Sequence, residues 1–188
     1  MTASELDYAE ALSLLHEWTG SDSLRRHAYA VESAMAHYAR LNGEDENLWR
    51  ITGLLHDMDY EKHPTSAEHP FVGVAVLRGL GYPEMMLQAI LGHALYSGVA
   101  RTTPLAKTLF AVDELAGFLT ACAYVRPDRL AGLAPKSVKK KLKDKSFAAA
   151  VSREDIRIGI EELGIDTDEH IQNVIDGMAS EARRLGLA

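Results

Sequence analysis

Apolar residues recur at helical spacing along almost the whole chain, and this periodicity limits the possible folds more than any other feature. Within residues 22–41, one face of the predicted helix carries Leu24, Ala28, Val31 and Met35. Recurrence at every third or fourth residue is typical of an amphipathic helix. No stretch of useful length alternates apolar and polar residues, as a half-buried strand would. We therefore expect an all-α protein.

Glycine, proline and capping residues divide the chain into separate helices. Asn42-Gly43 ends one helix, Ser66 is suited to cap another, and Pro83 and Pro104 fit first helical turns. The helices expected on this basis span 5–18, 22–41, 45–57, 67–79, 83–95, 104–125, one or two segments within 135–150, 153–163 and 167–184.

The chain length of 188 residues suits one substantial hydrophobic core and is short for two. The longest connections, around 96–103 and 124–134, are too short to be domain linkers. We therefore expect a single domain over residues 1–188, with a core of about 22–122 followed by a helical extension of about 126–188.

The net charge limits the kinds of binding partner that we expect, and the cysteine content limits the cellular compartment. The net charge of -7 argues against a general nucleic-acid binder, because such proteins carry a basic excess. The single cysteine, Cys122, excludes an intrachain disulfide and fits a reducing compartment. The first residues lack the features of a signal peptide, and no apolar run reaches about 18 residues. We expect a cytoplasmic protein that binds neither membrane nor nucleic acid; the oligomeric state stays open.

The stretch Leu54-Leu55-His56-Asp57 carries chemistry at the end of an apolar helix. Adjacent side chains lie about 100° apart around a helix axis, so His56 and Asp57 can both reach one cation. Imidazole and carboxylate together are normal ligands of Zn, Fe, Mn or Ni. Since such pairs also arise by chance, a metal site requires further ligands from elsewhere in the chain.

Two polar residues on apolar helix faces can supply those ligands. His27 lies on the face of Leu24 and Val31, where a histidine is either a ligand or a hydrogen-bonded core residue. Asp113 interrupts the most apolar helix. A buried carboxylate is costly unless it is paired or bound to a metal. The alternative for Asp113 is a structural pairing with an arginine, a tyrosine or a helix N-terminus.

The remaining histidines fall into two groups. His69 and His93 lie near helix ends beside apolar residues, and they are candidate ligands, although each alone would more often be structural. Four others lie among polar residues and are predicted to be surface histidines: His16, His37, His63 and His170.

The order His27, His56-Asp57 and Asp113 resembles the HD superfamily of metal-dependent phosphohydrolases over roughly residues 22–122. The segments beginning HDMDYEKHP and KSVKKKLKDKSF are also similar to bacterial HD-domain proteins described as predicted hydrolases. The resemblance implies an HD-type helical bundle. It also implies that the four residues bind a divalent transition metal, which would be Mn, Fe, Ni, Co or Zn.

Some HD families hold two metals, and His69 and His93 match the extra histidines of those families. Asp57 would then bridge the two ions, so that one ion is expected and two are possible. The HD-GYP cyclic-dinucleotide phosphodiesterases have two adjacent late histidines and a lysine three residues after the aspartate. Here Ala94 follows His93 and Tyr60 takes the lysine position, which disfavours a cyclic-dinucleotide substrate.

By this resemblance, the expected function is hydrolysis of a small phosphorylated compound, a nucleotide or dinucleotide, by metal-activated water. Asp57 and Asp59 are the predicted catalytic residues, with Glu61 and Glu114 as open alternatives for acid–base work. The basic residues predicted to bind substrate phosphates are Lys62, Arg26 and Arg101. The rival functions are a non-catalytic nucleotide sensor that keeps the metal and a di-iron oxygenase, which would need His69 and His93.

Two further expectations concern the surroundings of the site. The stretch from Lys136 to Lys145 is strongly basic, and an exposed amphipathic helix with Val138 and Leu142 inward is favoured over a polyanion site. The walls of the substrate pocket are expected to come from the following parts of the chain: the 58–65 loop, Phe71, Tyr96 and the C-terminal extension.

Overall fold

A computed structural model describes residues 6–188, and this part of the chain contains ten α-helices and no strand. The helices are α1 (Tyr8–Trp18), α2 (Asp22–Asn42), α3 (Glu46–Leu55), α4 (Phe71–Gly79), α5 (Glu84–His93), α6 (Pro104–Tyr124), α7 (Pro135–Leu142), α8 (Arg153–Leu163), α9 (Thr167–Ser180) and α10 (Ala182–Leu185). A 3-10 turn, Leu95–Ser97, follows α5. The prediction of an all-α protein is confirmed. Residue 5, where the first helix was expected to begin, lies outside the described residues.

Local sequence explains where several helices begin and end. The Ser21 hydroxyl accepts a hydrogen bond from the Leu24 N–H at the start of α2, and the Asp45 carboxylate accepts one from Leu48 at the start of α3. Such caps satisfy backbone donors that have no partner inside the helix. Gly43 ends α2 in the left-handed region, with φ of +69°, where glycine avoids the steric cost that other residues meet.

The two longest helices, α2 and α6, form the centre of the molecule. Helix α2 packs against α3, α6 and α9, and α6 packs against α2, α5 and α8. The interface side chains are apolar and fully buried, as at Val31 and Met35 on α2 and Leu109 and Leu115 on α6. Burial of this apolar surface is the main stabilising contribution to such a bundle. Helices α8 and α9 of the C-terminal part therefore contact the central pair directly.

Several predicted helix boundaries are wrong. Helix α4 begins at Phe71 instead of residue 67, and Ser66 does not cap it. Pro70 explains this, because the residue before a proline is disfavoured in helical conformation. Of the one or two helices predicted within 135–150, one forms as α7, and residues 143–151 form turns. The last predicted helix is divided between α9 and α10 at Glu181.

The prediction that His170 is a surface residue is also wrong. Its side chain is fully buried between α9, α2 and α6. The ring Nε2–H donates to the Ala111 carbonyl at 3.0 Å, and the Tyr38 hydroxyl donates to Nδ1 at 2.6 Å. Burial lowers the pKa of His170 to about 4, so the ring is neutral near pH 7. Its two hydrogen bonds connect the last long helix to both central helices.

Among the described residues, no helix combines the length and apolar character that crossing a membrane requires.

Candidate metal centre

Asp57 lies in the turn that follows α3, and its two carboxylate oxygens face different histidine pairs. Oδ2 is 3.5 Å from Nε2 of His56 and 3.9 Å from Nε2 of His27. Oδ1 is 3.3 Å from Nε2 of His69 and 3.2 Å from Nε2 of His93. One carboxylate therefore stands between two groups of potential ligands.

The first group consists of His27, His56, Asp57 and Asp113, and one ligand atom from each lies within 4.8 Å of the others. Asp113 Oδ1 on α6 is 2.9 Å from His27 Nε2 on α2 and 3.3 Å from His56 Nε2. The structure thus brings together, from three separate parts of the chain, the four residues predicted as ligands. We refer to these four residues as the first cluster.

The second cluster consists of Asp57, His69 and His93, whose ligand atoms also lie within 4.8 Å of one another. His69 comes from the turn before α4, and His93 is the last residue of α5. Both side chains are almost completely buried. Within residues 6–188, these two clusters are the groups whose geometry suits a metal ion, and they share Asp57.

Backbone carbonyls orient two of the histidines. His56 Nδ1 hydrogen-bonds to the Gly53 carbonyl at 2.7 Å, and His93 Nδ1 hydrogen-bonds to the Ile90 carbonyl. A carbonyl oxygen only accepts, so the proton of each neutral ring is on Nδ1. The lone pair on Nε2 then points at the cluster, which is the arrangement that a metal-binding histidine needs.

Asp59 performs the same task for His69. Its Oδ1 accepts from His69 Nδ1 at 2.7 Å, and its Oδ2 accepts from the Gly73 N–H at 2.6 Å. A Cβ atom on Gly73 would lie only 2.9 Å from Asp59 Cγ, so the close approach depends on glycine. Both oxygens are engaged and the side chain is buried away from the cavity. This geometry suits Asp59 to position His69, and its predicted catalytic role stays a prediction.

The electrostatics of the first cluster fit a bound cation. His56 Nε2 is buried and makes no hydrogen bond, although two carboxylates lie nearby. Burial opposes a charge on His56, but Asp57 and Asp113 outweigh it and raise its pKa to about 9. Burial likewise opposes ionisation of the two aspartates, while His56 outweighs it and holds the pKa of each below the usual range. The site favours positive charge, and imidazole and carboxylate ligands suit a divalent transition metal.

A cavity of about 580 Å³ opens beside both clusters. Beyond the ligands, its principal lining residues are Tyr60, Leu95, Tyr96, Phe110, Glu114 and Asp155. Tyr60 belongs to the 58–65 loop that was predicted to form a wall, and Tyr96 was predicted as a wall residue by itself. Asp155 belongs to the C-terminal extension, which was also predicted to contribute. Phe71 is exposed and does not line this cavity.

Glu114 connects the cavity to the start of α8. Its Oε2 accepts from the Ser152 N–H at 3.0 Å, while the Ser152 hydroxyl accepts from the Asp155 N–H at 3.1 Å. Burial and the neighbouring Asp113 charge raise the pKa of Glu114 to about 7. The other acid–base alternative, Glu61, instead accepts from the Gly20 N–H and does not line the cavity. Glu114 is therefore the carboxyl group placed to hold a proton beside the clusters near neutral pH.

Comparison with known proteins agrees with this geometry. A family model described as the HD domain matches residues 24–117, half of the chain, and this span includes every residue of both clusters. The chain belongs to the HD-domain family. Searches of curated proteins and of solved structures found no match. The resemblance and the HD-type helical bundle predicted from the sequence are confirmed, and the family is one of metal-dependent phosphohydrolases.

The basic residues predicted to bind substrate do not line the cavity of this HD domain. Lys62 donates to the Glu17 carbonyl at 3.2 Å and lies over the Trp18 ring. Arg101 donates to the Glu162 carboxylate and to a backbone carbonyl, and only 9% of its side chain is exposed. Arg26 is exposed on α2, since the neighbouring His27 takes the inward position.

The basic stretch of the HD-domain chain fits the interpretation as an exposed helix. Val138 on α7 is fully buried and Leu142 is partly buried. Lys139 pairs with Asp168 on α9 at 2.6 Å. Helix α7 thus packs on the protein through its apolar face.

Sequence reasoning missed the contribution of Asp155 to the cavity and of Phe110 to its wall. Neither residue was predicted to lie at the site. Their positions depend on how α8 packs against α6, which no local pattern reveals.

Proposed function

We propose that this HD domain hydrolyses a small phosphate ester, and specifically a nucleotide, with two divalent transition-metal ions. Mn, Fe, Ni, Co and Zn are the candidates, because all of them accept imidazole and carboxylate ligands. The observation that supports the proposal most is the division of the Asp57 oxygens between two histidine pairs. A carboxylate in this position is suited to bridge two ions.

His27, His56, Asp57 and Asp113 would hold one ion, and Asp57, His69 and His93 would hold the other. Bound ions of this kind lower the pKa of coordinated water and stabilise charge on phosphoryl oxygens, which is the chemistry that ester hydrolysis requires.

Residues of the chain would orient the metal-binding histidines and donate a proton in the reaction. The anchored Nδ1 atoms of His56, His69 and His93 fix the direction of these three Nε2 lone pairs before any ligand binds. The Glu114 carboxyl, whose pKa is raised to about 7, is a suitable proton donor to the leaving oxygen. The aromatic walls at Tyr60 and Tyr96 are suited to contact a base by stacking.

Hydrolysis by the metal-loaded protein tests this function. Wild type reconstituted with Mn²⁺ should release phosphate from at least one member of a panel of nucleotides and generic phosphate esters. Asp57→Ala should lower the rate at least about a hundredfold, because it removes a ligand from both clusters. The matched control is Asp128→Ala, an exposed aspartate outside the cavity. Turnover that survives Asp57→Ala would assign the activity to another site.

The same panel separates the rival functions. Nucleotide binding without turnover of any ester would favour the non-catalytic sensor. The di-iron oxygenase needs both clusters, and the structure contains both. Oxygen consumption by the Fe-loaded protein, without phosphate release, would favour that alternative.

A further inference from the structure

The cavity beside the two clusters is acidic. Its lining includes four carboxylates, from Asp57, Asp113, Glu114 and Asp155, and within the described part of the chain it includes no lysine or arginine. Arg101, one of the predicted phosphate-binding cations, is paired with Glu162. Any phosphate that enters this cavity therefore depends on the metal ions for positive charge.

The metal ions can compensate only a limited negative charge. Two divalent ions would balance the four lining carboxylates when all of them are ionised, and the metal-bound histidines would be neutral. One phosphoryl group is stabilised by direct contact with the ions. A second or third phosphate would bring further negative charge into a partly desolvated cavity whose walls offer no cation, which is unfavourable.

The remaining walls suit an uncharged group. Tyr60, Leu95 and Tyr96 are large apolar side chains that lie at the cavity and are still 42%, 45% and 54% exposed. Phe110 is buried on the inner wall. Exposed aromatic side chains around a cavity favour planar organic groups, which cover them and exclude water.

We propose that the substrate is a phosphate monoester with a single phosphoryl group on an uncharged, planar organic part. A nucleoside monophosphate has this chemistry, whereas nucleoside di- and triphosphates and dinucleotides do not. This inference rests on the proposed function and restricts its substrate class. Asp155 acts as a specificity residue, because this acidic residue lines the cavity while its N–H is occupied by the Ser152 hydroxyl.

A comparison of one nucleoside carrying one, two or three phosphates tests the substrate class. With the Mn²⁺-loaded protein and free metal held constant, kcat/KM should be at least about tenfold higher for the monophosphate than for the triphosphate. Equal or higher kcat/KM for the triphosphate would overturn the inference.

Asp155→Lys tests the role of the acidic wall. The substitution adds a cation to the cavity and should shift the ratio of triphosphate to monophosphate kcat/KM upward at least about tenfold. Asp128→Lys makes the same charge change at an exposed position outside the cavity and should leave the ratio unchanged. Asp155→Asn, which keeps the helix start intact, should shift the ratio in the same direction by about threefold. An unchanged ratio in a folded Asp155 variant, or an equal shift in Asp128→Lys, would contradict the assigned role.

Direct binding separates this inference from the proposed function. If no ester is hydrolysed, the proposed function fails, and the affinity of the Mn²⁺-loaded protein for nucleoside mono- and triphosphates then decides the inference. At least about tenfold tighter binding of the monophosphate would sustain it. Equal or tighter binding of the triphosphate would overturn it.

Discussion

Asp57 reaches both clusters because it follows the end of α3 and lies in a turn. Its neighbour His56 is held by the Gly53 carbonyl one turn back, so the dyad does not rotate freely. The two residues therefore present three ligand atoms to one region from adjacent positions in the chain. This explains why the dyad is the centre of the site, although two adjacent polar residues alone would carry little information.

Asp59 offers a test of orientation separate from direct metal binding. Asp59→Asn keeps the shape of the side chain but offers only one oxygen to His69 and Gly73. We expect metal affinity at the second cluster to fall about 10–100-fold, as is usual when the partner of a metal-binding histidine is lost. Affinity at the first cluster should be retained. A two-step metal titration followed by calorimetry measures both.

The exposed Asp128→Asn is the control for Asp59→Asn, since it makes the same chemical change away from both clusters. A second binding step that is unchanged in folded Asp59→Asn would show that His69 needs no orienting partner.

His170 predicts a specific pH dependence of stability. Its folded-state pKa of about 4 lies below the usual value near 6.5, so the unfolded chain binds the proton first as the pH falls. Stability is therefore lost between about pH 6.5 and pH 4 and is unaffected above that range. Between pH 7 and pH 4.5, the loss from this residue should be about 2–3 kcal/mol.

Urea unfolding of wild type and His170→Gln at these two pH values checks the effect. The glutamine does not titrate, so the unfolding free energy of wild type should fall by about 2–3 kcal/mol more than that of the variant. Parallel pH profiles for the two proteins would mean that His170 does not carry the effect.

The residues of the site differ in how far they were predictable. His27 and Asp113 interrupt apolar helix faces. Both could be named as candidate ligands from the sequence, because a buried polar group requires a partner. His69 and His93 needed the family resemblance, because helix ends commonly carry histidines. His170 was misjudged although it lies one turn before the apolar Val174, which is buried on the same helix.

At the scale of helices, α8 closes one side of the site because it packs very closely against α6. Gly159 makes this approach possible, since a Cβ atom there would lie 2.6 Å from Ala111 Cα. Ala111 is close to Asp113 in α6, and α8 also carries Asp155. The spacing of the two helices thus affects a metal ligand and the cavity wall together.

Gly159→Ala should destabilise the protein by about 1–3 kcal/mol, because backbone atoms of α6 would have to move. The higher helix propensity of alanine, about 1 kcal/mol, offsets only part of this cost. Gly79→Ala at the end of α4 is the matched control, since nothing lies within 4 Å of the added atom. Denaturant unfolding of both variants measures the difference. Equal stability of the two variants would contradict the close packing.

Element existence was predicted better than element boundaries. Periodic apolar spacing identified the central helices α2 and α6 because their buried faces repeat over many residues. Within the predicted stretch 135–150, only α7 (Pro135–Leu142) forms, and Arg153 instead hydrogen-bonds to carbonyls of the turns that follow, including those of Ala148 and Val151. Side-chain contacts across a turn leave no periodic pattern, so they were beyond sequence reasoning.

Across the entire fold, the ligands come from α2, α5 and α6, from the turn after α3, and from the turn before α4. The sequence predicted the helical class and every residue of the two clusters. It did not predict that the cavity is acidic and, among residues 6–188, has no arginine in its lining, because Lys62, Arg26 and Arg101 were expected to meet the substrate phosphates. Long-range packing decides which side chains enter the cavity, and it directs Lys62 and Arg101 elsewhere.

The number of metal ions that each chain retains shows whether Asp57 joins two metal sites. Protein reconstituted with Mn²⁺ and freed of excess ions should retain close to two ions per chain, one for each cluster, by elemental analysis. His93→Ala should retain about one ion, since the first cluster stays complete, and Asp57→Ala should retain less than either. Wild type that retains none of Mn, Fe, Ni, Co or Zn would contradict a metal centre at these clusters. Asp57→Ala that retains as much metal as wild type would contradict the shared role of Asp57.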